Sequence, residues 1–95
     1  MANYRDALGE VLREHREERG WTLRKASSKV PMALGYLSEI ERGHKELSSD
    51  LLDAVAQAYG VPTSSLVIEA GVRLASWELP NTVPMNFGKE VVVAS

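Results

Sequence analysis

The sequence lacks cysteine, contains only two histidines, is poor in aromatic residues at 6%, and has no surplus of basic residues. Without cysteine it has no disulfide framework, thiolate metal site or cysteine nucleophile, and we expect a reducing, cytoplasmic setting. Two isolated histidines are too few for a zinc site, so we expect no metal and no other cofactor. No apolar run approaches the roughly 18 to 20 residues that cross a bilayer, and the N-terminus has no apolar signal core. The composition therefore argues against secretion and against membrane contact.

The chain has 95 residues, and 44% of them are apolar. This length and composition predict one small domain, because the chain is too short for a multidomain enzyme. Apolar residues recur at spacings of three and four over five segments, which predicts an all-α domain in residues 1–79. The predicted helices cover residues 4–19, 23–29, 34–42 and 64–79, and the fourth in chain order begins after Ser48 or Ser49 and ends before Gly60. Glycine stop signals and threonine or serine N-caps bound them, and these are Gly20, Gly43, Gly60, Thr22, Ser48 or Ser49, and Thr63. Residues 80–95 are predicted to form a short C-terminal tail.

The fifth predicted helix has two apolar stripes, unlike a normal surface helix. One stripe contains Leu66, Val67, Ala70, Leu74 and Trp77, and the other contains Ile68, Val72, Ala75 and Leu79. We expect the first stripe to pack on the other four helices. Because so small a domain has no spare core to cover the second stripe, we predict that this stripe, joined by Trp77, is a homodimer interface. The alternative is a central helix that is buried on both faces.

Residues 22–43 read TLRKASSKVPMALGYLSEIERG, which predicts two short helices joined by a tight turn, the helix-turn-helix arrangement. Over residues 7–66 the chain resembles the Cro/C1-type (XRE) helix-turn-helix family of bacterial and phage transcriptional regulators, whose recognition helix has the form LSxIExG. The segments LGYLSE, ERG and KExSS make it most similar to the actinobacterial regulators of Clp protease genes. The resemblance implies a compact, lambda-repressor-like DNA-binding domain and an activator of Clp and related stress genes.

The resemblance implies that the start of the third helix enters the DNA major groove, where each base pair offers a distinct pattern of donors and acceptors. The predicted base-reading residues are Leu34, Gly35, Tyr36 and Glu39. Leu34 could contact a thymine methyl group, and Gly35 would allow the backbone to approach the DNA closely. Tyr36 could reach a phosphate or a base edge, and Glu39 could accept a hydrogen bond from the amino group of cytosine. None of them is the Gln, Asn or Arg that typically makes bidentate contacts with purines. We therefore expect DNA shape and contacts from the tail to contribute more to sequence preference. For Leu34 and Tyr36, packing against the second helix or against the partner subunit is the alternative.

Contacts to DNA phosphates are predicted at the start of the second helix and from polar and basic residues nearby. They are Thr22, Arg24, Lys25, His44 and Lys45. From residue 19 to residue 45, six basic and two acidic side chains leave a net charge of +4, so the rest of a chain with net charge −2 carries −6. This segregation favours a DNA-binding face. A locally basic stretch of an ordinary helical bundle is the alternative.

In the resembling family, the glutamate of the ERG motif commonly pairs with an arginine of the first helix. These residues correspond to Glu41 and Arg16, and we predict a structural ion pair whose rupture costs roughly 3 to 5 kcal/mol if it is largely buried. Two positions depart from the family, because Leu23 stands where Gln is common and Ala33 where Ser or Thr caps the recognition helix. His15 is predicted to be packed rather than catalytic, because no Ser, Cys or second His is suitably spaced.

These features predict a sequence-specific transcriptional regulator, not an enzyme, that binds a two-fold operator as a homodimer on the nucleoid. Two alternatives stay open: an antitoxin that regulates its own operon, and a protein-interaction adaptor that has lost DNA binding. The C-terminal VVVAS is similar to the short apolar termini that Clp proteases select, so the chain is also a candidate Clp substrate. An inert or packed terminus is the alternative.

Overall fold

A computed structural model describes residues 3–79, and these residues form five α-helices. The helices are α1 (Tyr4–Glu18), α2 (Leu23–Lys29), α3 (Leu34–Glu41), α4 (Ser49–Tyr59) and α5 (Thr63–Glu78). The predicted all-α, five-helix class is confirmed, and the predicted boundaries lie within one residue of the observed ones. The predicted tail, residues 80–95, lies outside the described residues.

Side-chain caps explain where three of the helices begin. Asn3 and Asp6 form a capping box on α1, in which each side chain accepts from the backbone N–H of the other residue, at 3.1 and 2.9 Å. The hydroxyls of Thr22 and Ser48 each accept from the N–H three residues on, at 3.0 and 3.2 Å. Each bond satisfies a donor that the helix geometry leaves without a partner.

The predicted N-cap of α5 is wrong. Thr63 is the first residue of the helix, and Pro62 occupies the N-cap position without a side-chain hydrogen bond. The Thr63 hydroxyl instead donates to the Asp53 carboxylate of α4 at 2.6 Å. It therefore links the start of α5 to α4 rather than capping its own helix.

The core lies between α1 and the helices packed around it. α1 packs against α5 and α3, while α2 packs on α3 and α4 packs on α5. The largest fully buried side chains come from α1, the end of α2, α3, α4 and α5, and they are Val11, Leu12, Val30, Leu37, Val55 and Leu66. Full burial of one such side chain contributes about 1.5 to 3 kcal/mol. Because α3 is held from two sides, its orientation is fixed by the core.

A glycine sets how closely α1 approaches α3. A Cβ atom on Gly9 would lie 2.6 Å from the carbonyl oxygens of Ile40 and Glu41, and backbone atoms cannot move aside as a flexible side chain can. Gly43, at φ +77°, then turns the chain out of α3 in the left-handed region that glycine tolerates. These two glycines hold the end of α3 against α1.

α5 covers the core with only part of its first apolar stripe. Leu66 and Ala70 are fully buried and Leu74 packs against the core, whereas Val67 and Trp77 are exposed. The expectation that the first stripe packs on the other four helices is therefore wrong for Val67, and Trp77, which is also predicted to join the second stripe, is exposed. Val67 lies at the edge of the stripe, and Trp77 lies in the last turn of the helix.

Within residues 3–79, the second stripe of α5 is only partly buried. Ile68 is 62% exposed, Leu79 is exposed, and Val72 and Ala75 are half-buried. The alternative of a helix buried on both faces does not describe Ile68, because the helices of residues 3–79 leave that side chain exposed.

Candidate nucleic-acid interface

α2 and α3 form the helix-turn-helix. Ala26, Val30 and Leu37 are fully buried and hold the two helices together. Val30 adopts extended backbone, as expected before Pro31, and this ends α2. Burial of one side of each helix leaves the opposite side of α3, including Gly35, at the surface.

An ion pair between α1 and α3 fixes the angle of α3. Arg16 Nε and Nη2 donate to the two carboxylate oxygens of Glu41 at 2.7 and 3.0 Å, and Arg16 Nη1 donates to the Trp21 carbonyl at 2.9 Å. The two side chains are only 12% and 5% exposed. The hydrogen bond with Glu41 holds the pKa of Arg16 above its ordinary value. These are the residues whose pairing the family resemblance implies, and a bidentate pair of this kind imposes geometry as well as attraction.

The first predicted base-reading residues differ in how they lie on α3. Gly35 is exposed, and a Cβ atom placed on it would meet no described atom within 4 Å. Leu34 beside it is half-buried. Tyr36 packs against the core, and its hydroxyl donates to the Glu46 carbonyl at 3.0 Å. Tyr36 is therefore held within the protein, and its hydroxyl supports the loop after α3.

Glu39, the remaining predicted base-reading residue, has basic partners inside the protein. Its Oε2 accepts from the Arg42 guanidinium, and its Oε1 lies 3.2 Å from Nδ1 of His44. The hydrogen bond from Arg42, and then that from His44, hold the pKa of Glu39 below its usual range. The carboxylate is therefore ionised at neutral pH, with one oxygen directed at each basic side chain.

The predicted phosphate-binding residues occupy exposed positions on α2 and in the loop after α3. They are Thr22, Arg24, Lys25, His44 and Lys45. Within residues 3–79, Arg24, Lys25 and Lys45 have no carboxylate partner. Thr22 accepts the capping hydrogen bond of α2, which leaves its O–H able to donate. Three cations and a hydroxyl are thus available to an anionic ligand.

Two other residues of the basic stretch bind inside the protein, which the charge sum did not indicate. Arg19 donates to the carbonyl oxygens of His15 at 2.7 Å and Tyr59 at 2.5 Å, and its guanidinium lies 5.1 Å from the centre of the Tyr59 ring. Arg42 pairs with Glu39. The pairing of Arg42 with Glu39 is already counted in the net charge of +4, whereas Arg19 contributes to that sum although its guanidinium donates to backbone carbonyls of the protein.

A second open surface lies between α1 and α5. It is a groove of about 550 Å³ whose lining includes Ile68 and Trp77. The lining also contains Arg73, which donates to Glu10 at 3.2 Å and to Glu14 at 2.6 Å. The hydrogen bond with Glu14 raises the pKa of Arg73 and lowers that of Glu14. An apolar surface with a charged rim is typical of a protein–protein interface.

His15 is packed between helices. Its Nε2 lies 2.9 Å from a carboxylate oxygen of Glu69 on α5, and its ring stacks on Tyr59 with the ring centres 6.1 Å apart. Within the described part of the chain, no three His, Cys, Asp or Glu side chains are grouped to hold a metal ion. Among the same residues, no helix is long and apolar enough to cross a membrane.

The fold and this helix pair define the class of the protein. A family model described as a helix-turn-helix domain matches residues 7–66, so the chain belongs to the helix-turn-helix family. Over 74 residues it is 50% identical to the transcriptional regulator ClgR of Mycobacterium tuberculosis, a match that covers 78% of this chain and 66% of that protein. The chain thus spans just under two thirds of that relative.

Solved structures agree with this assignment. The crystal structure of the clp gene regulator ClgR from C. glutamicum has a TM-score of 0.70 and 44% identity, over 75% of this chain and 92% of that one. A restriction-modification controller protein has a TM-score of 0.65 over 74% of this chain and 94% of that one, and at 20% identity it shares the fold alone. The predicted resemblance to DNA-binding regulators of Clp genes is confirmed. These relatives are transcriptional regulators, as the sequence predicts for this chain, and not enzymes.

Proposed function

We propose that this chain binds a two-fold DNA operator as a homodimer and activates genes of Clp-dependent proteolysis. The observation that carries the proposal is the α2–α3 pair, which Arg16 and Glu41 hold at one angle, with cations beside it that have no carboxylate partner within residues 3–79. Cations position a protein on the phosphate backbone, and a fixed recognition helix enters the major groove. In this proposal the chain binds DNA and activates genes in the cytoplasm, on the nucleoid.

In this proposal Arg24, Lys25 and Lys45, with Thr22 and His44, bind phosphates. Leu34 and Gly35 face base edges at the start of α3, where the open space around Gly35 allows close approach of the duplex. Tyr36 supports the loop that carries His44 and Lys45 through its bond to the Glu46 carbonyl. With few polar groups at the start of α3, part of the sequence preference comes from DNA shape.

The homodimer is proposed on the second stripe of α5, which comprises Ile68, Val72, Ala75 and Leu79, joined by Trp77. Within residues 3–79, four of the five large apolar side chains that are exposed belong to residues 67–79. Exposed apolar area concentrated on one helix indicates an interaction surface. A second copy of the chain is the proposed occupant, because two recognition helices roughly 34 Å apart read two half-sites on one face of the duplex.

The target genes are proposed from a relative. The C. glutamicum protein is a clp gene regulator, and it is 44% identical to this chain. The C-terminal VVVAS lies outside the described residues, and we propose it as the signal by which a Clp protease removes the regulator. Two aspartates added after Ser95 are expected to lengthen the intracellular half-life; an unchanged half-life would refute this part of the proposal.

Selection of bound duplexes from a random pool at about 0.1 M salt tests DNA binding. We expect enrichment of an inverted repeat, with an affinity that falls linearly with salt on a logarithmic scale. Lys25→Gln is expected to weaken binding to all sequences alike and to reduce the slope of log K against log salt by about 0.9, while Lys25→Arg keeps the slope. A folded protein that enriches no sequence refutes the proposal and favours the adaptor alternative.

Sedimentation equilibrium tests the dimer. Ile68→Asp places a charge at the most exposed apolar position of α5 and is expected to yield monomers. Gln57→Asp, at an exposed position of α4, is the matched control and is expected to keep the wild-type distribution. If both variants remain as dimeric as the wild type, the interface lies elsewhere.

A further inference from the structure

Glu39 lies on the face of α3 that the proposed function turns towards DNA, although it carries a charge that DNA repels. It follows Gly35 by four residues, so the two positions share one face of α3. Its carboxylate is ionised, as shown above, and part of it is exposed. A permanent negative charge at this position opposes the phosphate contacts that give affinity.

The partners of Glu39 are basic residues that are otherwise well placed to bind phosphate. Arg42 and His44 are each 60% exposed, at the end of α3 and in the loop that follows. Both direct a polar group at Glu39, and each uses a different carboxylate oxygen. A phosphate oxygen that approached Arg42 would have to replace this carboxylate.

We infer that Glu39 is a positioning residue that acts through Arg42, as an internal counter-ion that keeps the Arg42 side chain off DNA phosphates and so limits binding to DNA of any sequence. The inference rests on the proposed DNA-binding function.

The physical reason is that phosphate contacts strengthen specific and non-specific binding alike. Each phosphate that a protein neutralises adds about −0.9 to the slope of log K against log salt, whatever the sequence. An arginine that is neutralised within the protein adds to neither affinity. Glu39 therefore leaves the phosphate contacts to Arg24, Lys25 and Lys45 and lowers the affinity of the chain for DNA of any sequence.

The test compares Glu39→Gln with the wild type on two probes, a duplex of random sequence and the duplex selected above. Glutamine keeps the shape of Glu39 but removes its charge. Fluorescence anisotropy between about 50 and 200 mM salt is expected to show a slope steeper by about 0.9 on both probes, which is a further 3.5-fold loss of affinity over this range. The random duplex is expected to bind at least about threefold more tightly at the lower salt concentration.

Three further variants isolate the mechanism. In an Arg42→Gln background, Glu39→Gln is expected to produce no steeper slope, because the released cation is missing. Arg42→Gln alone is expected to keep the wild-type slope. The matched control is Glu46→Gln, which removes a negative charge two residues after His44. Because the Glu46 carboxylate has no ion-pair partner in residues 3–79, this variant is also expected to keep the wild-type slope of log K against log salt. Circular dichroism melting checks that each variant is folded.

If Glu39→Gln leaves random-duplex binding and the salt slope unchanged and loses the preference for one base pair of the selected duplex, Glu39 reads a base and the inference is wrong. A lower slope in Arg42→Gln alone also overturns it, because Arg42 would then contact phosphate in the wild type. If the wild type binds neither duplex, the proposed function fails and the inference fails with it. Binding by the wild type with no response to Glu39→Gln overturns the inference alone.

Discussion

Replacement of Glu41 by glutamine removes the charge that holds α3 against α1. The carboxylate is 5% exposed and accepts two hydrogen bonds from Arg16, at 2.7 and 3.0 Å. Glutamine has a similar shape but only one acceptor oxygen and no charge, so it leaves a largely buried guanidinium without a counter-charge. Removal of one partner from such a pair costs about 3 to 5 kcal/mol. The total free energy of unfolding of a 95-residue domain is about 5 to 14 kcal/mol, so the loss is a large part of it.

Urea unfolding followed by circular dichroism measures this loss. We expect a lower midpoint with an unchanged slope of free energy against urea. The matched control is Glu17→Gln, which breaks the exposed pair with Arg13, where the side chains are 53% and 62% exposed and the expected loss is about 0 to 1 kcal/mol. The double variant Arg16→Met with Glu41→Leu is expected to recover most of the stability, because no charge is left buried. A Glu41→Gln loss no larger than that of the control would refute the reasoning from burial.

Three further predictions concern packing, capping and ionisation. Gly9→Ala is expected to lower the free energy of unfolding by about 1 to 3 kcal/mol, because the added Cβ would lie 2.6 Å from the carbonyl oxygens of Ile40 and Glu41. An unchanged urea midpoint would contradict this. Ala33→Ser is expected to gain about 1 kcal/mol, because α3 has no side-chain cap, and a melting temperature that does not rise would count against it. Burial raises the pKa of Tyr59 to about 12, whereas the pKa of an unfolded tyrosine is near 10. The free energy of unfolding therefore keeps its full value below about pH 10 and falls as the pH rises from about 10 to 12. The fall is at most about 3 kcal/mol, and Tyr59→Phe is expected to lack it. Equal alkaline losses in both proteins would show that Tyr59 is not the group responsible.

The helices could be predicted from the sequence because their signals are local. Apolar spacing, Thr22 as a cap and the glycine stops each act within a few residues, and they gave boundaries within one residue of the structure. The capping box of Asn3 and Asp6 is an equally local signal that the sequence reading missed. The cap assigned to Thr63 failed because its hydroxyl bonds to Asp53 of another helix, which no local pattern encodes.

The candidate site was less predictable because its contacts join distant parts of the chain. Glu41 and Arg16 are 25 residues apart, and only the family resemblance connected them. Arg19 binds a backbone carbonyl 40 residues away, which no residue type announces. The spacing of Glu39 and Arg42 on one helix predicts their contact, whereas the contact with His44 depends on the path of the loop after α3.

The central claim is that two copies of this chain place their recognition helices on two half-sites of one duplex. The most direct measurement is the affinity for the selected inverted repeat, compared with the same repeat after insertion of about five base pairs between its half-sites, which turns one half-site to the opposite face of the duplex. The account predicts that the insertion lowers the affinity to that of a random duplex. Equal affinity for the two spacings would contradict it, because the half-sites would then be bound independently.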